Sequence, residues 1–365
     1  YHYGNLRHEV AKKVVATADW QPKRVAREDA TADCAAANMR EEAERLLSEV
    51  DVFEVSKVER FDTSPSAQRA RELARTVRAM EPASRAFLEA YACKEVGRLS
   101  RSGREQQLSG PILTKAVGVA IWNDPERAAD LRKLLWVGRD VQATPGIYEF
   151  MEGAEIMEAA YKALAQRLPS GELDRDMDPL MAEITRLMAN EESAQLHWRA
   201  GARVLLGDLL GPDWDANPPT PMHAKQIVES MDEILASLEE MPNLASAPYP
   251  KRHEAMSAWI AQHDLSAWGP KFAGYGEAGV TADAMATHAH AYGRALLIGA
   301  AIRKYRRTRG ICPRELSDLE GGILETVPLD PIAAAPFTYD SKACTITSAK
   351  TPTGLDAVVV QAKPE

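Results

Sequence analysis

Apolar residues recur every three or four positions through most of the first 263 residues, and charged residues fill the positions between them. This spacing is typical of amphipathic helices, and prolines and glycines interrupt it at short intervals. Nothing in this region alternates apolar and polar residues as strands do. The pattern predicts a mainly α protein whose body, residues 1–270, is an irregular array of about nine or ten helices without a fixed repeat.

The helices after residue 120 have starts that the sequence marks clearly. A capping residue, a proline and an acidic residue begin one helix at 123–126, and a Thr-Pro-Gly segment begins the next at 144–146. We predict that this second helix ends at Leu168. Asp178-Pro179 predicts a long helix to about Leu210, with shorter helices over 222–240 and 250–263. Large apolar residues give the first of these helices an inward face: Leu131, Leu134, Leu135 and Trp136.

The pattern changes after residues 266–280, which are rich in glycine and small residues. We interpret this segment as the boundary between the helical body and a C-terminal unit at 281–365. The unit starts with a long helix, predicted from about Thr281 to Arg309, and Gly310 is suited to end it in the left-handed conformation. One stripe of this helix has steps of three and four residues and is predicted to face inward: Met285, His288, Tyr292, Ala295, Gly299 and Ile302.

Short strands are predicted after the long helix. A short helix around Leu316 and a connection with several prolines separate them from it. The strands cover 336–339, 344–347 and 357–360, and a turn at 340–342 joins the first two. The C-terminal unit is therefore predicted to be a small α+β structure, in which the long helix packs on a three-stranded antiparallel sheet.

Residues 302–339 contain an ordered set of motifs: Ile302-Arg303-Lys304-Tyr305-Arg306, Arg309-Gly310, Cys312-Pro313, Leu316, Leu319, Val327-Pro328-Leu329-Asp330-Pro331 and Pro336-Phe337-Thr338-Tyr339. In this order and spacing they resemble the periplasmic part of the major, G-type pseudopilins of type II secretion systems. The same unit behind a long helical region is also similar to secreted or membrane-anchored proteins of bacteria such as planctomycetes. The resemblance implies a periplasmic or cell-surface location.

The segment departs from the pseudopilin pattern at several points. Cys312 stands where the family usually has Tyr, and Ala334 where it usually has Gly. The family's calcium loop has no clear counterpart in 351–356, so no calcium ligand is assigned. Because a long helical region precedes the matching helix, the chain is not expected to be a filament subunit of that kind.

Charge and hydropathy exclude some classes of partner. The formal net charge of −9 and the pI of about 5.5 argue against a nucleic-acid-binding protein, which needs a basic face. The longest apolar run, 116–122, is far shorter than the roughly 20 residues of a membrane helix. The chain begins at Tyr1 rather than Met, so we expect that a leader was removed or the chain was trimmed. Membrane association is expected only through such a removed or upstream N-terminal anchor.

The four cysteines do not form a zinc or redox motif, because no pair has Cys-x-x-Cys spacing. Cys312 and Cys344 flank the same small unit, so a disulfide between them is one interpretation. Such a bridge would contribute roughly 3–4 kcal/mol. Buried free thiols are the other interpretation, and Cys34 and Cys93 leave further pairings open.

No motif of a known catalytic or metal site is present in the sequence. Asp174, Asp176 and Asp178 imitate the start of a calcium loop, but Pro179 and Thr185 stand where glycine and glutamate are needed, so we predict an acidic helix start. His288 and His290 point to nearly opposite sides of their helix and cannot share a metal ion. We predict that His288 is packed and His290 is solvated. No catalytic residue, cofactor or metal ligand is assigned.

These observations favour a non-enzymatic, extracytoplasmic structural or protein-interaction subunit of a bacterial envelope assembly. The alternative is an enzyme or small-molecule-binding protein with a pocket between helices of the body. Its candidate residues are Glu191, Glu192 and His197. A third hypothesis is that the acidic surface serves a scaffold subunit of a larger complex.

Overall fold

The computed structural model describes residues 128–143, 146–191, 247–263 and 275–363, together with a few positions elsewhere between residues 8 and 244. Helices dominate these residues, and a small three-stranded antiparallel sheet lies near the C-terminus, as predicted. The count of nine or ten helices is not confirmed, because most of 1–127 and 200–246 lies outside the described residues. The elements with defined bounds are α1 (Ala128–Gln142), α2 (Ile147–Arg167), α3 (Met177–Met188), α4 (Tyr249–Gln262), α5 (Tyr275–Arg309), a 3₁₀ helix (Leu316–Leu319), β1 (Thr338–Asp340), β2 (Thr345–Thr347) and β3 (Val359–Gln361).

Helices α1 and α2 form a closely packed pair. A Cβ atom added at Gly138 would lie 2.8 Å from the carbonyl oxygen of Gly153, so the two backbones approach where neither has a side chain. The predicted inward face of α1 is confirmed, because its four large residues are at most 4% exposed. The bounds of α2 are confirmed within a residue or two, and a turn follows at 168–176.

The long helix predicted from Asp178 is wrong in its length, because α3 ends at Met188. The reason is local hydrogen bonding by Asn190. Its side-chain amide donates to the Arg186 carbonyl at 2.8 Å, and its backbone N–H donates to the Leu187 carbonyl at 3.1 Å. Such a side chain offers the backbone an alternative to the helical ladder. Among the described residues that follow, 194 and 196–199 are helical again.

Helix α5 begins at Tyr275, six residues before the predicted start, and runs for 35 residues. Two of the glycines that suggested a boundary, Gly276 and Gly279, are part of it. Gly279 allows close contact with the body, since a Cβ there would lie 2.8 Å from Cδ1 of Trp198. The helix contacts α2, α3, α4, β2 and β3. It is therefore the central element of the described structure.

This central position corrects the prediction of a single inward stripe. Ala289, Ala291 and Ala301 lie off the predicted stripe and are nevertheless completely buried. His290, predicted to be solvated, has a side chain only 13% exposed. The sequence suggested one buried face because small residues on the other faces carry little hydrophobic signal, although they permit close packing there.

The sheet has the order β1–β2–β3, and Ile346 of β2 pairs with Val360 of β3. Both side chains are buried against α5, where Gly299 leaves room for them: a Cβ at Gly299 would lie 3.0 Å from Cγ1 of Val360. Each strand lies within two residues of its prediction. Gly310 has φ 78° and donates its N–H to the Arg306 carbonyl, which confirms it as the end of α5.

One cluster of buried residues extends from α1, α2 and α3 through α5 to the sheet. A smaller cluster joins Phe150, Trp198 and Trp259 to the N-terminal half of α5. The division into a body at 1–270 and a unit at 281–365 stays a prediction. Within the described residues, α5 contributes to the packing on both sides of that division.

Candidate functional site

Polar side chains along the N-terminal two thirds of α5 are buried or partly buried. Four of them follow each other at steps of four, three and four, and therefore lie on one side of the helix; we call them the polar stripe: Asp283, Thr287, His290 and Arg294. Asp283 and Thr287 are at most 2% exposed. Buried polar groups are costly unless they are hydrogen-bonded, so their partners decide what this region does.

The first half of the stripe is held by Arg252 of α4. Its Nε donates to both carboxylate oxygens of Asp283 at 3.1 and 3.2 Å, and one Nη donates to Thr287 Oγ1 at 3.0 Å. The other Nη donates to the Ala247 carbonyl at 2.8 Å. Burial raises the pKa of Asp283, and the charges of Arg252 and His253 oppose that shift only in part. The arginine thus binds α4 to α5 through a buried ion pair.

The second half of the stripe is held by Glu191. Arg294 donates from Nε and Nη2 to the two carboxylate oxygens and from Nη1 to the Leu329 carbonyl at 3.1 Å. Nδ1 of His290 lies 3.7 Å from Oε2 of Glu191. Burial lowers the pKa of His290 to about 4, against the opposing charge of Glu191, so the ring is neutral near pH 7. Burial and the charge of Glu191 raise the pKa of the neighbouring Tyr161.

His288 lies beside the stripe and contacts two other elements. Its Nδ1 is 3.0 Å from Oε2 of Glu158 in α2, and its Nε2 is 2.9 Å from the Asp356 carbonyl oxygen. The ring of Tyr292 packs edge-on against it, with centroids 5.3 Å apart. Burial by itself raises the pKa of Glu158, but hydrogen bonds and charges from His288 and Lys162 outweigh burial and lower it. Glu158 is therefore ionised near neutral pH.

The candidate pocket residues have separate environments. Glu191 is engaged by Arg294, as described above. His197 is completely buried and stacks on Phe150 with centroids 4.2 Å apart, within the smaller core cluster. Glu192 lies outside the described residues.

Asp283, Arg252 and Glu158 were not predicted from the sequence. The spacing of Asp283, Thr287, His290 and Arg294, in steps of four, three and four, does indicate that these four polar residues share one side of the helix.

The acidic residues in the turn before α3 and in its first turn pair with the basic end of α5. Arg303 donates to both oxygens of Asp174, and Lys304 donates to Asp178 at 2.8 Å. The hydrogen bonds from Arg303 lower the pKa of Asp174. Asp176 precedes α3 and Asp178 lies in its first turn, as predicted for an acidic helix start. Among the described residues, no group of three or more His, Cys, Asp or Glu side chains could hold a metal ion.

Several residues that carry the pseudopilin resemblance have internal partners. Asp330 is buried, with 2% of the residue exposed. Its carboxylate accepts hydrogen bonds from the backbone N–H groups of Ile332 and Ala349 at 2.9 and 2.7 Å. Tyr339 donates its hydroxyl to the Pro313 carbonyl at 2.9 Å. Ala334, where the family usually has Gly, has φ 54°. These contacts give the motif a packing role in this chain.

A disulfide joins Cys312, after α5, to Cys344, before β2, with Cα atoms 6.1 Å apart. Cys34 and Cys93 lie outside the described residues. Within the described part of the chain, no helix combines the length and the apolar character needed to span a membrane. No protein-family model matches the chain, and neither a curated protein nor a solved structure is significantly similar to it.

Proposed function

We propose that this protein is a non-enzymatic, extracytoplasmic subunit of a bacterial envelope assembly that binds a protein partner. The Cys312–Cys344 disulfide carries this proposal. Disulfides form and persist in oxidising compartments such as the periplasm and the cell surface. The pseudopilin-like order of the motifs around the bridge supports the same location.

The internal pairing of the buried polar groups supports a structural role. Arg252, Glu158 and Arg294 each join separate elements through charged hydrogen bonds. A buried network with its partners in place makes a fold rigid and specific. A rigid body of this kind suits a subunit that presents a fixed surface to a partner.

The exposed apolar residues support a contact surface on the C-terminal unit. Of the four large hydrophobic side chains that are exposed among the described residues, three lie there: Ile311, Leu329 and Val359. The fourth, Tyr148, lies on α2 and is 57% exposed. Large apolar side chains of this kind become buried when protein partners bind.

The test is crosslinking in intact cells followed by affinity recovery of the full chain and mass spectrometry. We expect a defined envelope protein to be recovered with the wild type and to be strongly reduced with Ile311→Ser, which is 61% exposed in the wild type. Tyr148→Ser is the matched control and should leave recovery unchanged. Trapping of thiols in the same cells should find Cys312 and Cys344 oxidised. Free thiols, or a chain recovered alone as a monomer, would contradict the proposal.

The second candidate is a small-molecule-binding protein or enzyme with its site between the helices. The observation that favours it is that the charge of Glu191 acts on both His290 and Tyr161, whose pKa values are strongly shifted, because such groups often gather at functional sites. A thermal-shift screen with small carboxylates and phosphates tests it. A stabilising compound whose effect disappears in His290→Gln but persists in His263→Gln would favour this function over the first.

A further inference from the structure

The segment that connects β2 to β3, residues 348–358, crosses the helices next to His288; we call it the strap. Its two ends are held to each other, because Ser348 and Val358 exchange hydrogen bonds of 2.9 and 2.8 Å. Its middle turns back on itself through the Thr351 hydroxyl, which accepts the Leu355 N–H at 2.9 Å. The strap therefore needs further contacts to remain against α2 and α5.

His288 provides such a contact through the Asp356 carbonyl. The side chain of Asp356 points into solvent and is 94% exposed. Its Oδ1 lies 3.6 Å from Nζ of Lys350, whose side chain is 74% exposed. Exposed ion pairs of this kind contribute little. Thr353 lies beside the hydroxyl of Tyr249 in α4. The hydrogen bond from the buried His288 ring thus joins the strap to α5, alongside the completely buried Val358 and the hydrogen bond from the Ala349 N–H to Asp330.

Both ring nitrogens of His288 face groups that can only accept hydrogen bonds. Nδ1 faces the carboxylate of Glu158, and Nε2 faces a backbone carbonyl. A neutral imidazole has one donor and one acceptor, whereas the imidazolium has two donors. Only the doubly protonated ring satisfies both contacts. If one proton is lost, the remaining proton stays on Nδ1, because a hydrogen bond to an ionised carboxylate is the stronger one.

We propose that His288 is a pH-dependent contact that holds the strap against α2 and α5 while its ring is doubly protonated, and releases the strap as the pH rises. After loss of the Nε2 proton, the nitrogen lone pair faces the Asp356 carbonyl oxygen, and the contact becomes repulsive.

The other groups that face His288 do not produce this change. On α2 these are Glu158, whose pKa is lowered, and Lys162, which pairs with it. On α5 the neighbour is Tyr292, and burial raises its pKa to about 12. On the strap it is Asp356. Among the described residues, His253 of α4 faces Asp283 instead, and His290 is the nearest other histidine on α5.

His290 supplies the matched control. It lies two residues from His288 on the same buried helix, but burial lowers its pKa to about 4, so it stays neutral between pH 5 and 8. A pH response that depends on His288 will survive His290→Gln. A response caused by general loosening of α5 will change in both variants.

Amide hydrogen exchange of the full chain, followed by mass spectrometry, tests the proposal at about pH 5 and about pH 9, on either side of the range in which histidine side chains in general change charge. After correction for the intrinsic effect of pH, protection of the strap amides should fall about tenfold between the two conditions, as expected for loss of one charged hydrogen bond. His290→Gln should show the same fall. His288→Gln should show low protection at both pH values.

Equal protection of the wild-type strap at both pH values would overturn the proposal, and so would a pH response that persists in His288→Gln. If that variant does not fold, ring ¹⁵N and ¹³C chemical shifts of the wild type decide the matter. They should show both His288 nitrogens protonated while the strap is protected and one protonated when its protection is lost. A neutral ring at the lower pH would contradict the inference.

Discussion

At the residue scale, the side chain of Ala334 destabilises the turn that contains it, because its Cβ disfavours the backbone conformation there. The turn begins at Asp330, whose carbonyl accepts the Ala334 N–H at 2.8 Å, and it requires the left-handed conformation that Ala334 adopts. An L-residue with a Cβ pays about 1 kcal/mol or more for that conformation. Glycine adopts it freely.

We expect Ala334→Gly to increase the free energy of unfolding by about 0.5–1 kcal/mol, because relief of backbone strain exceeds the added entropy of the unfolded chain. Chemical denaturation monitored by circular dichroism measures the change. Ala333→Gly is the control: its φ is not positive, so the same substitution should lower stability slightly. A lower stability of Ala334→Gly would show that the turn does not hold the conformation described.

At the element scale, α1 and α2 pack closely because Gly138 and Gly153 have no side chains between the two backbones. We expect Gly153→Ala to destabilise the protein by about 1–3 kcal/mol, because the new methyl group would overlap the backbone N–H and the side chain of Gln142 on α1. Gly322→Ala, where nothing lies within 4 Å, is the control and should change stability little. Thermal denaturation of both variants measures the difference; equal melting temperatures would contradict the close packing.

The ion pair between Asp174, in the turn before α3, and Arg303 of α5 predicts that stability depends on pH in the acidic range. Because Arg303 lowers the folded-state pKa of Asp174, the pair stabilises the fold above the ordinary aspartate pKa, and this contribution disappears as the pH falls through the lowered value. We expect Asp174→Asn to cost up to about 1 kcal/mol near pH 7 and nothing at strongly acidic pH. The midpoint of chemical denaturation, measured for the wild type and for Asp174→Asn at several pH values, gives this difference in stability. Asp178→Asn, at a 74% exposed partner of Lys304, should change little throughout.

At the scale of the whole molecule, the disulfide and the shared core make one prediction together. Removing the bridge with Cys312→Ser and Cys344→Ser should lower the free energy of unfolding by about 3–4 kcal/mol. Because one buried cluster extends from α1 to β3, the described helices and the sheet should still unfold in a single calorimetric transition. A separate early transition, assigned to the sheet by hydrogen exchange, would show that the C-terminal unit is independent.

The helix ends, turns and strands that could be predicted from the sequence are those determined by residues close together in the chain. The turn before Ile147, the end of α5 at Gly310 and the three strands depend on local glycine, proline and alternation, and they were predicted within a few residues. The partners of buried charges were not predictable. Glu158 and His288 are 130 positions apart, and Arg252 and Asp283 are 31 apart, so only tertiary packing brings them together.

Because α5 is covered on nearly every side, residues 275–363 could fold within another protein only if that protein covered the same surfaces. Excised as a free fragment, residues 275–363 would expose to water the alanine and glycine surfaces that α2 and α4 cover, together with an unpaired Asp283. A host polypeptide would have to offer matching grooves and a positively charged partner. The helical region and the tail are therefore expected to have changed their sequences in concert, each constraining which substitutions the other tolerates.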